Sequence, residues 1–483
     1  MKLADILSAR SRFGIKPGLD SISALCAALG DPQRKIPNVV HVAGTNGKGA
    51  TAAFVDAELI AAGKRSARYV SPHLVRINER FFLDGKPLSD EILDSAAERV
   101  ENAIASSPAL SGVTYFELLT AVAFDVYSHS GCDCCVLETG LGGRLDATNV
   151  CEPAVTAITR IGLDHCDILG STIEAIAAEK GGIIKKGVPV ILGENVTAVR
   201  SVVESIAREK GAPFVYAPEA VRPEEVPGTL SIGGAFNREN AMTAMAVCKV
   251  LAEMDSSLDI GKMKLGFGRA VWPGRYQKVG RCIVDGAHNP PAAEALVRSI
   301  ESDPSVDTPL TLVAGFCGDK DVDATLSILR RVADCAIPVK SSNPRSLDTG
   351  LLAEKMRKCS FSVLPAAKLA DLPKIPSLVC GSLFLAGEAL VAMGAYPWPS
   401  DRVDPNEKTS SQAYVELAAR IFGIPPSSVS LDTAYGSQGW DSVNHLRLVM
   451  EAEEAFGVFY PIDRIPQIKT IRDLISLAEK RKD

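Results

Sequence analysis

The sequence predicts an α/β protein followed by a small helical bundle, and three observations predict it. Short apolar, β-branched runs alternate with amphipathic helical stretches, the spacing of a mostly parallel sheet covered on both faces. One of those runs opens VVHVAGTNGKGAT (39–51), a strand, a glycine-rich turn and a helix start. Beyond a Pro-rich, charged segment at Tyr396–Lys408, the tail Thr409–Asp483 reads as helical throughout.

The elements follow in order. Leu3–Leu29 reads as helical segments leading to the strand at Val39, and Thr51–Ala62 as a helix. A strand at Arg68–Val70 runs into SPHLVRINERF (71–81), a polar loop with Pro and Asn. Ser89–Ala105 is an amphipathic helix and Thr114–Ser128 a more apolar one. Strands at Cys134–Gly140 and Ala154–Gly162 each end in a polar turn. A helix (Ile173–Ile184), a strand (Val188–Leu192) and a helix (Val196–Lys210) complete the first unit. A second α/β unit begins near Trp272-Pro273-Gly274 with the strand CIVDGAHNP (282–290) and a helix to Ile300. Further strands fall at Leu310–Phe316, Ala333–Val339, Phe361–Leu364 and Ser377–Ser382. The domain boundaries expected are 1–270, 271–395, a linker at 396–408, and 409–483.

Composition narrows the class. With 483 residues and 46% hydrophobic side chains there is material for several cores. The net charge of −6 gives nucleic acid or an anionic membrane no footing as the main partner. No apolar run approaches the roughly 20 residues of a membrane span, and the acid at Asp5 argues against a secretory signal. Twelve cysteines are too sparse for a disulfide scaffold, and the cluster Cys132, Cys134, Cys135 reads as strand packing. A cytoplasmic protein with reduced thiols is the expectation.

The turn after Val42 has the chemistry of a phosphate-binding loop. Gly44, Gly47 and Gly49 let backbone N–H groups approach an anion at a helix N-terminus, and Lys48 adds a point charge. The spacing is shorter than in the usual loop and Gly49 follows the lysine, so a plain glycine turn is the competing reading of this stretch alone. Ligands in such sheets sit at the carboxyl ends of the strands. There lie Glu138 and Asp164-His165, side chains suited to a Mg²⁺ that takes one or two carboxylates and keeps its waters.

The segments GTNGKG, SPHLVRINERF, ETGLGGRLDATN, ITRIGLDH, EKGGIIK, PGR, DGAHNP, DKD and GSLFLAGE occur in one order from Leu3 to Ala395. In this the chain resembles the folylpolyglutamate synthase/dihydrofolate synthase family of Mur-ligase-like amide ligases. The resemblance implies a P-loop ATPase domain plus a smaller α/β ligase domain, with ATP and Mg²⁺ as cofactors. It places the ATP phosphates on Gly44, Thr45, Asn46, Gly47, Lys48, Gly49 and Ala50. Asn240, Arg275, Asp285 and His288 close the nucleotide site from the second domain. Ser71 and Glu138 match ligands of one Mg²⁺, and His165 a ligand of a second. Lys180 matches a lysine that relatives carbamylate with CO₂. Lys48, Lys180, His165 and Arg275 form the catalytic set, and Phe116 and Glu117 line the substrate side. The chain departs from the family at Ala50, where Ser or Thr is usual but Thr51 follows, at Phe236-Asn237 for His-Gln, and at Val70 for Thr.

In the tail, GWDSVNHLRLVMEAEEAFGV (439–458) resembles the second helix of acyl carrier proteins, whose serine receives 4′-phosphopantetheine. Ser442 is the matching residue, although Asp441-Ser442 would also serve simply as a helix cap. A phosphopantetheinyl transferase and acyl-loading enzymes are the implied partners.

The resemblance thus implies a monomeric ATP-dependent ligase that adds L-glutamate to folate or dihydropteroate through an acyl phosphate. Two other readings stand beside it: a ligase redirected to a non-folate or carrier-linked acid, and a non-catalytic carrier or scaffold.

Overall fold

The computed structural model describes residues 2–10, 18–318, 321–343, 345–398, 411–425, 428–437, 439–456, 458–461, 464–477 and 479–480. The chain divides into two compact units, Met1–Pro397 and Trp398–Asp483. Asp319 and Lys320 of the DKD segment, Gln438 and residues 399–408 of the linker lie outside the described residues.

The first unit holds two sheets. The larger has eight strands: β1 (Val39–Ala43), β2 (Ser66–Tyr69), β3 (Phe81–Leu83), β4 (Lys86–Pro87), β5 (Cys134–Glu138), β6 (Pro153–Ile158), β7 (Val190–Leu192) and β8 (Phe214–Tyr216). Their order is β4-β3-β2-β5-β1-β6-β7-β8. From β2 across to β8 every pair is parallel, with Val42 opposite Glu138 on one side and Ala157 on the other. β1 and β5 are buried at every position, as apolar runs with helices on both faces must be. The chain leaves β1 toward β2 on one side, while β6 to β8 lie on the other. The crevice above β1 is therefore the switch point where such sheets bind ligands.

Helices seat the flanks. Lys48–Ala61 and Ala235–Met254 pack against each other beside β1 and β6. Tyr115–His129 starts from a capping box in which Thr114 Oγ1 accepts the Glu117 N–H and the Glu117 carboxylate accepts the Thr114 N–H. Its inner face joins a core with Tyr69, Phe81, Leu118, Val122, Phe124 and Leu137.

The second sheet comprises β9 (Gln277–Val279), β10 (Cys282–Val284), β11 (Leu310–Ala314), β12 (Ala333–Pro338), β13 (Ser362–Val363) and β14 (Ser377–Cys380). Its order is β13-β12-β11-β14-β10-β9, parallel except for β9. Helix Pro290–Glu301 enters with Asn289 as cap and two prolines in its first turn, and it packs Leu296 and Val297 against Leu312 and Leu378.

Several elements differ from the sequence expectation. The loop 71–81 contains a helical turn, Ile77–Arg80, and then becomes β3. β3 and β4 form a hairpin closed by Asp84-Gly85, both at positive φ, as a two-residue turn requires. The structure adds the 20-residue helix Ala235–Met254, β8 and β9 to the elements the sequence predicts. The cysteine cluster packs as expected: Cys132, Cys134 and Cys135 are buried, and burial pushes the Cys134 thiol up to about 12.

The second unit contains helices Ser411–Phe422, Ser442–Phe456 and Ile471–Ser476. They surround Tyr414, Leu417, Trp440, Leu448, Tyr460 and Leu474. It is not helical throughout. Val458–Phe459 pairs antiparallel with Glu479–Lys480, which suits a β-branched and an aromatic residue directly after a helix. Among the described residues no helix is long and apolar enough to cross a membrane.

Candidate active site

A cavity of about 1030 Å³ opens above the carboxyl ends of β1 and β5 and is walled by residues of both sheets of the first unit. Its floor is the loop 44–50. Thr45 and Asn46 spend their N–H groups on the Arg160 carbonyl at 2.9 and 3.1 Å, which fixes the loop's entry. The helix proper begins at Lys48 behind Gly47, whose φ of 91° needs glycine. The first amides of that helix have no partner within it, so they face the cavity as anion donors. Ala50 lines the cavity, whereas the Thr51 hydroxyl is fully buried and has no hydrogen-bond partner among the described residues. Thr51 therefore does not stand in for a cavity-facing hydroxyl.

Lys48 folds back onto the loop in this state. Its Nζ donates to the Gly44 carbonyl at 3.1 Å and the Thr45 carbonyl at 3.3 Å, and lies 3.9 Å from Glu138 Oε1. Glu138, the last residue of β5, is buried, and its Oε2 accepts the Ser71 N–H at 3.1 Å. Burial raises its pKa against the opposing pull of Lys48, the Ser71 amide and Arg275. Ser71 follows β2, so neighbouring strand ends bring Ser71, Glu138 and Lys48 together.

Lys180 approaches from the helix Ile173–Gly181. It is buried and donates to the same Gly44 carbonyl at 2.8 Å. Desolvation, reinforced by the Lys48 charge, lowers its pKa to about 7. His165 is exposed at the cavity rim, at positive φ, with its ring 3.9 Å from Asp164. Among the described residues no three His, Cys, Asp or Glu side chains converge as a metal cage. Mg²⁺ suits such a place because it binds through one or two carboxylates plus phosphate oxygens and water. A buried carboxylate beside a serine and a phosphate-type loop fits it.

The second sheet supplies the opposite wall. Asp285, just past β10, is buried and accepts the N–H groups of Tyr276 (2.8 Å) and Ala287 (2.7 Å). Burial raises its pKa while Arg275 pulls it down, and Arg275 in turn feels both Asp285 and Glu138. His288 Nδ1 lies 2.8 Å from the Gly286 carbonyl. Asn240 lines the cavity from the helix Ala235–Met254, where its Nδ2 donates to Asn237 Oδ1 at 2.9 Å. Asn237 is fully buried and its amide is turned to the Gly233 carbonyl, while Phe236 faces the cavity.

The two substrate-side residues have different fates. Phe116 lies against Gly140 and 6.2 Å from the Tyr69 ring. Glu117 is engaged in the Thr114 capping box, and neither residue lines this cavity. Residues not singled out from sequence also shape the site. Asp146 accepts the N–H groups of Gly140, Leu141 and Thr148, and so pins the turn after Glu138. His73, whose pKa burial lowers to about 3, accepts from Arg80 Nε at 3.0 Å. The Asp-Ala-Thr-Asn run was the available signal for the Asp146 turn; nothing local marked His73.

In the second unit, Ser442 is exposed and begins the helix Ser442–Phe456. Asp441 Oδ1 accepts the Asn444 N–H at 2.8 Å, so Asp441 is the cap and leaves the Ser442 hydroxyl to solvent.

Comparison with known proteins agrees with this geometry. Residues 274–395 match the family described as Mur ligase, glutamate ligase domain, and residues 415–478 match phosphopantetheine attachment site. The folylpolyglutamate synthase of Lacticaseibacillus casei is 33% identical over 398 residues, covering 76% of this chain and 92% of that one. The solved Mycobacterium tuberculosis folylpolyglutamate synthase complexed with ADP aligns with a TM-score of 0.73 at 32% identity, over 82% of this chain and 98% of its own. A bifunctional folylpolyglutamate synthase/dihydrofolate synthase with Mn, AMPPNP and L-glutamate bound aligns with a TM-score of 0.70 at 29% identity, over 82% and 98%. The chain is an ATP-dependent ligase of the folylpolyglutamate synthase/dihydrofolate synthase family, extended at its carboxyl end by a phosphopantetheine-attachment domain.

Proposed function

We propose that residues 1–395 join L-glutamate to a folate-type acid, a reduced folate or dihydropteroate, and that residues 409–483 carry a phosphopantetheine arm on Ser442. The observation that carries the reading is the single cavity in which Lys48, Ser71 and Glu138 face Arg275 and Asp285. The relatives' names and bound ligands point to the same substrates.

The chemistry follows from the cavity. A carboxylate is a poor electrophile, so its oxygen attacks the terminal phosphorus of ATP and ADP leaves. The glutamate nitrogen then attacks the acyl carbon; inorganic phosphate departs with the bonding electrons, and the nitrogen loses a proton to solvent. Phosphoryl transfer needs positioning and charge neutralisation more than covalent help. The loop amides of Gly47–Ala50 hold the phosphates. Lys48 turns from the Gly44 carbonyl to their outer oxygens, and Arg275 approaches from the opposite wall. Asn240, Asp285 and His288 hold the rest of the nucleotide. Ser71 and Glu138 would ligate one Mg²⁺, and His165 with carbamylated Lys180 a second. Magnesium, when bound, neutralises the charge that builds on the phosphate oxygens. Drawing the second wall over the first would exclude water from the acyl phosphate.

The test is ADP formation by the full chain with ATP, Mg²⁺, L-glutamate and either dihydropteroate or tetrahydrofolate, beside Lys48→Ala. Acceptor-dependent ADP release that falls about a hundredfold or more in Lys48→Ala is expected. Equal release with and without either pterin would sink the folate reading. Release that needs an acid loaded on Ser442 would instead assign the ligase to carrier-borne acids. For the arm, incubation with a phosphopantetheinyl transferase and coenzyme A should add one phosphopantetheinyl mass to the parent and none to Ser442→Ala.

A further inference from the structure

A charged pair lies buried below the phosphate loop. Arg68 on β2 and Asp56 on the loop's own helix are each 2% exposed, and Arg68 Nε stands 3.5 Å from Asp56 Oδ2. The pair is poorly satisfied: Arg68 Nε and Asp56 Oδ1 have no hydrogen-bond partner among the described residues. A pair tuned for stability alone would satisfy those atoms or be replaced by apolar side chains. The guanidinium is instead enclosed by rings, 4.0 Å from the Phe82 centroid and 5.6 Å from that of Trp272. The same indole meets the phosphate loop: a Cβ on Gly49 would run into its six-membered ring. Three residues on is Arg275, and between them Gly274 is pinned at both ends. Its N–H donates to Gln277 Oε1 at 3.0 Å and its carbonyl accepts from Gly286 at 2.9 Å.

We propose that Asp56, Arg68 and Trp272 are positioning residues: the buried cation holds the indole against Gly49, and the indole fixes how far Arg275 stands from the phosphate loop. Asp56 neutralises the cation, Phe82 backs it, and Trp272 transmits its position to both sides of the cavity. Phosphoryl transfer is the step that senses this spacing, because a misplacement of about 1 Å can cost on the order of a hundredfold in rate. Nucleotide affinity rests on the loop amides and Lys48 and changes little.

The test compares the full-length parent, Trp272→Phe, Trp272→Leu, Gly49→Ala and Gly49→Ala/Trp272→Leu. Expected for Trp272→Leu is a fall in kcat of about tenfold or more with KM for ATP within about threefold. Trp272→Phe should recover most of kcat, since it restores a ring above Arg68. Gly49→Ala alone should be as slow as Trp272→Leu, and the double variant no slower than either single, because both act through one contact. Hydrogen exchange needs no substrate and reads the same contact in the nucleotide-free chain. The hydrogen-bonded amides of Gly274 and Tyr276, and those of Thr45, Asn46 and Thr51 in the phosphate-loop segment, should exchange faster together in Trp272→Leu. Unchanged exchange in both segments, kcat within twofold of the parent, or a loss lying wholly in KM would each overturn the proposal.

Discussion

An amine reacts with CO₂ only when it is unprotonated, and Lys180 is held near neutrality by its surroundings. An ordinary lysine at neutral pH offers a vanishing fraction of free amine; with its pKa lowered to about 7, Lys180 offers about half. The direction follows: the free-amine fraction, and with it carbamylation, rises as pH increases through about 7. Native mass spectra of the protein in bicarbonate should show a CO₂ adduct that grows over that range and is missing from Lys180→Arg. An adduct independent of pH, or one that survives Lys180→Arg, would place the modification elsewhere. Glu117 makes the opposite case, a carboxylate whose visible work is structural. Glu117→Ala should lower stability by about 1 kcal/mol through the lost capping box, measured by denaturant unfolding. A change near zero would mean the box contributes nothing and free its carboxylate for a ligand role.

At the scale of elements, the helix Ser442–Phe456 separates two demands. Leu448 is fully buried on one face and Ser442 is exposed at the start. Leu448→Ala should cost about 2–5 kcal/mol, while Ser442→Ala should leave the melting temperature unchanged and abolish arm attachment. A melting shift in Ser442→Ala comparable to that of Leu448→Ala would contradict the exposed placement. The same scale shows what the sequence could reveal. β1, β5 and the turns after them were legible because their residues act locally: β-branched runs make buried strands, and glycines with a lysine make an anion loop. The helix Ala235–Met254, which carries Asn237 and Asn240, is hard to read from sequence because Gly233-Gly234 directly before it and Asn237 in its first turn are loop signals. The hairpin β3–β4 had an Asp-Gly turn in plain view, but its strands have only three and two residues. Arg68 was illegible for a different reason. A charged side chain in a short strand reads as surface, and only the rings of Phe82 and Trp272, from distant parts of the chain, make its burial intelligible.

For the whole molecule, the division at Pro397/Trp398 makes stability a property of units rather than of the chain. Leu448→Ala should lower the transition of the carrier unit while ADP formation at low temperature stays within about twofold of the parent. Loss of turnover together with the carrier fold would show that the ligase depends on it.

The carbonyl of Gly44 accepts from Lys48 at 3.1 Å and from Lys180 at 2.8 Å, so two lysine Nζ groups crowd one oxygen. That crowding makes nucleotide binding a proton-coupled event. When triphosphate oxygens arrive at Lys48, their negative charge favours the protonated form of Lys180 and raises its pKa above about 7. At mildly alkaline pH the unmodified protein must then draw a fraction of a proton from the buffer for each nucleotide bound. A carbamylated Lys180 has no amine left to protonate. Binding heats measured in buffers of different ionisation enthalpy would count those protons, and the count would gauge how much of a preparation holds the modified lysine.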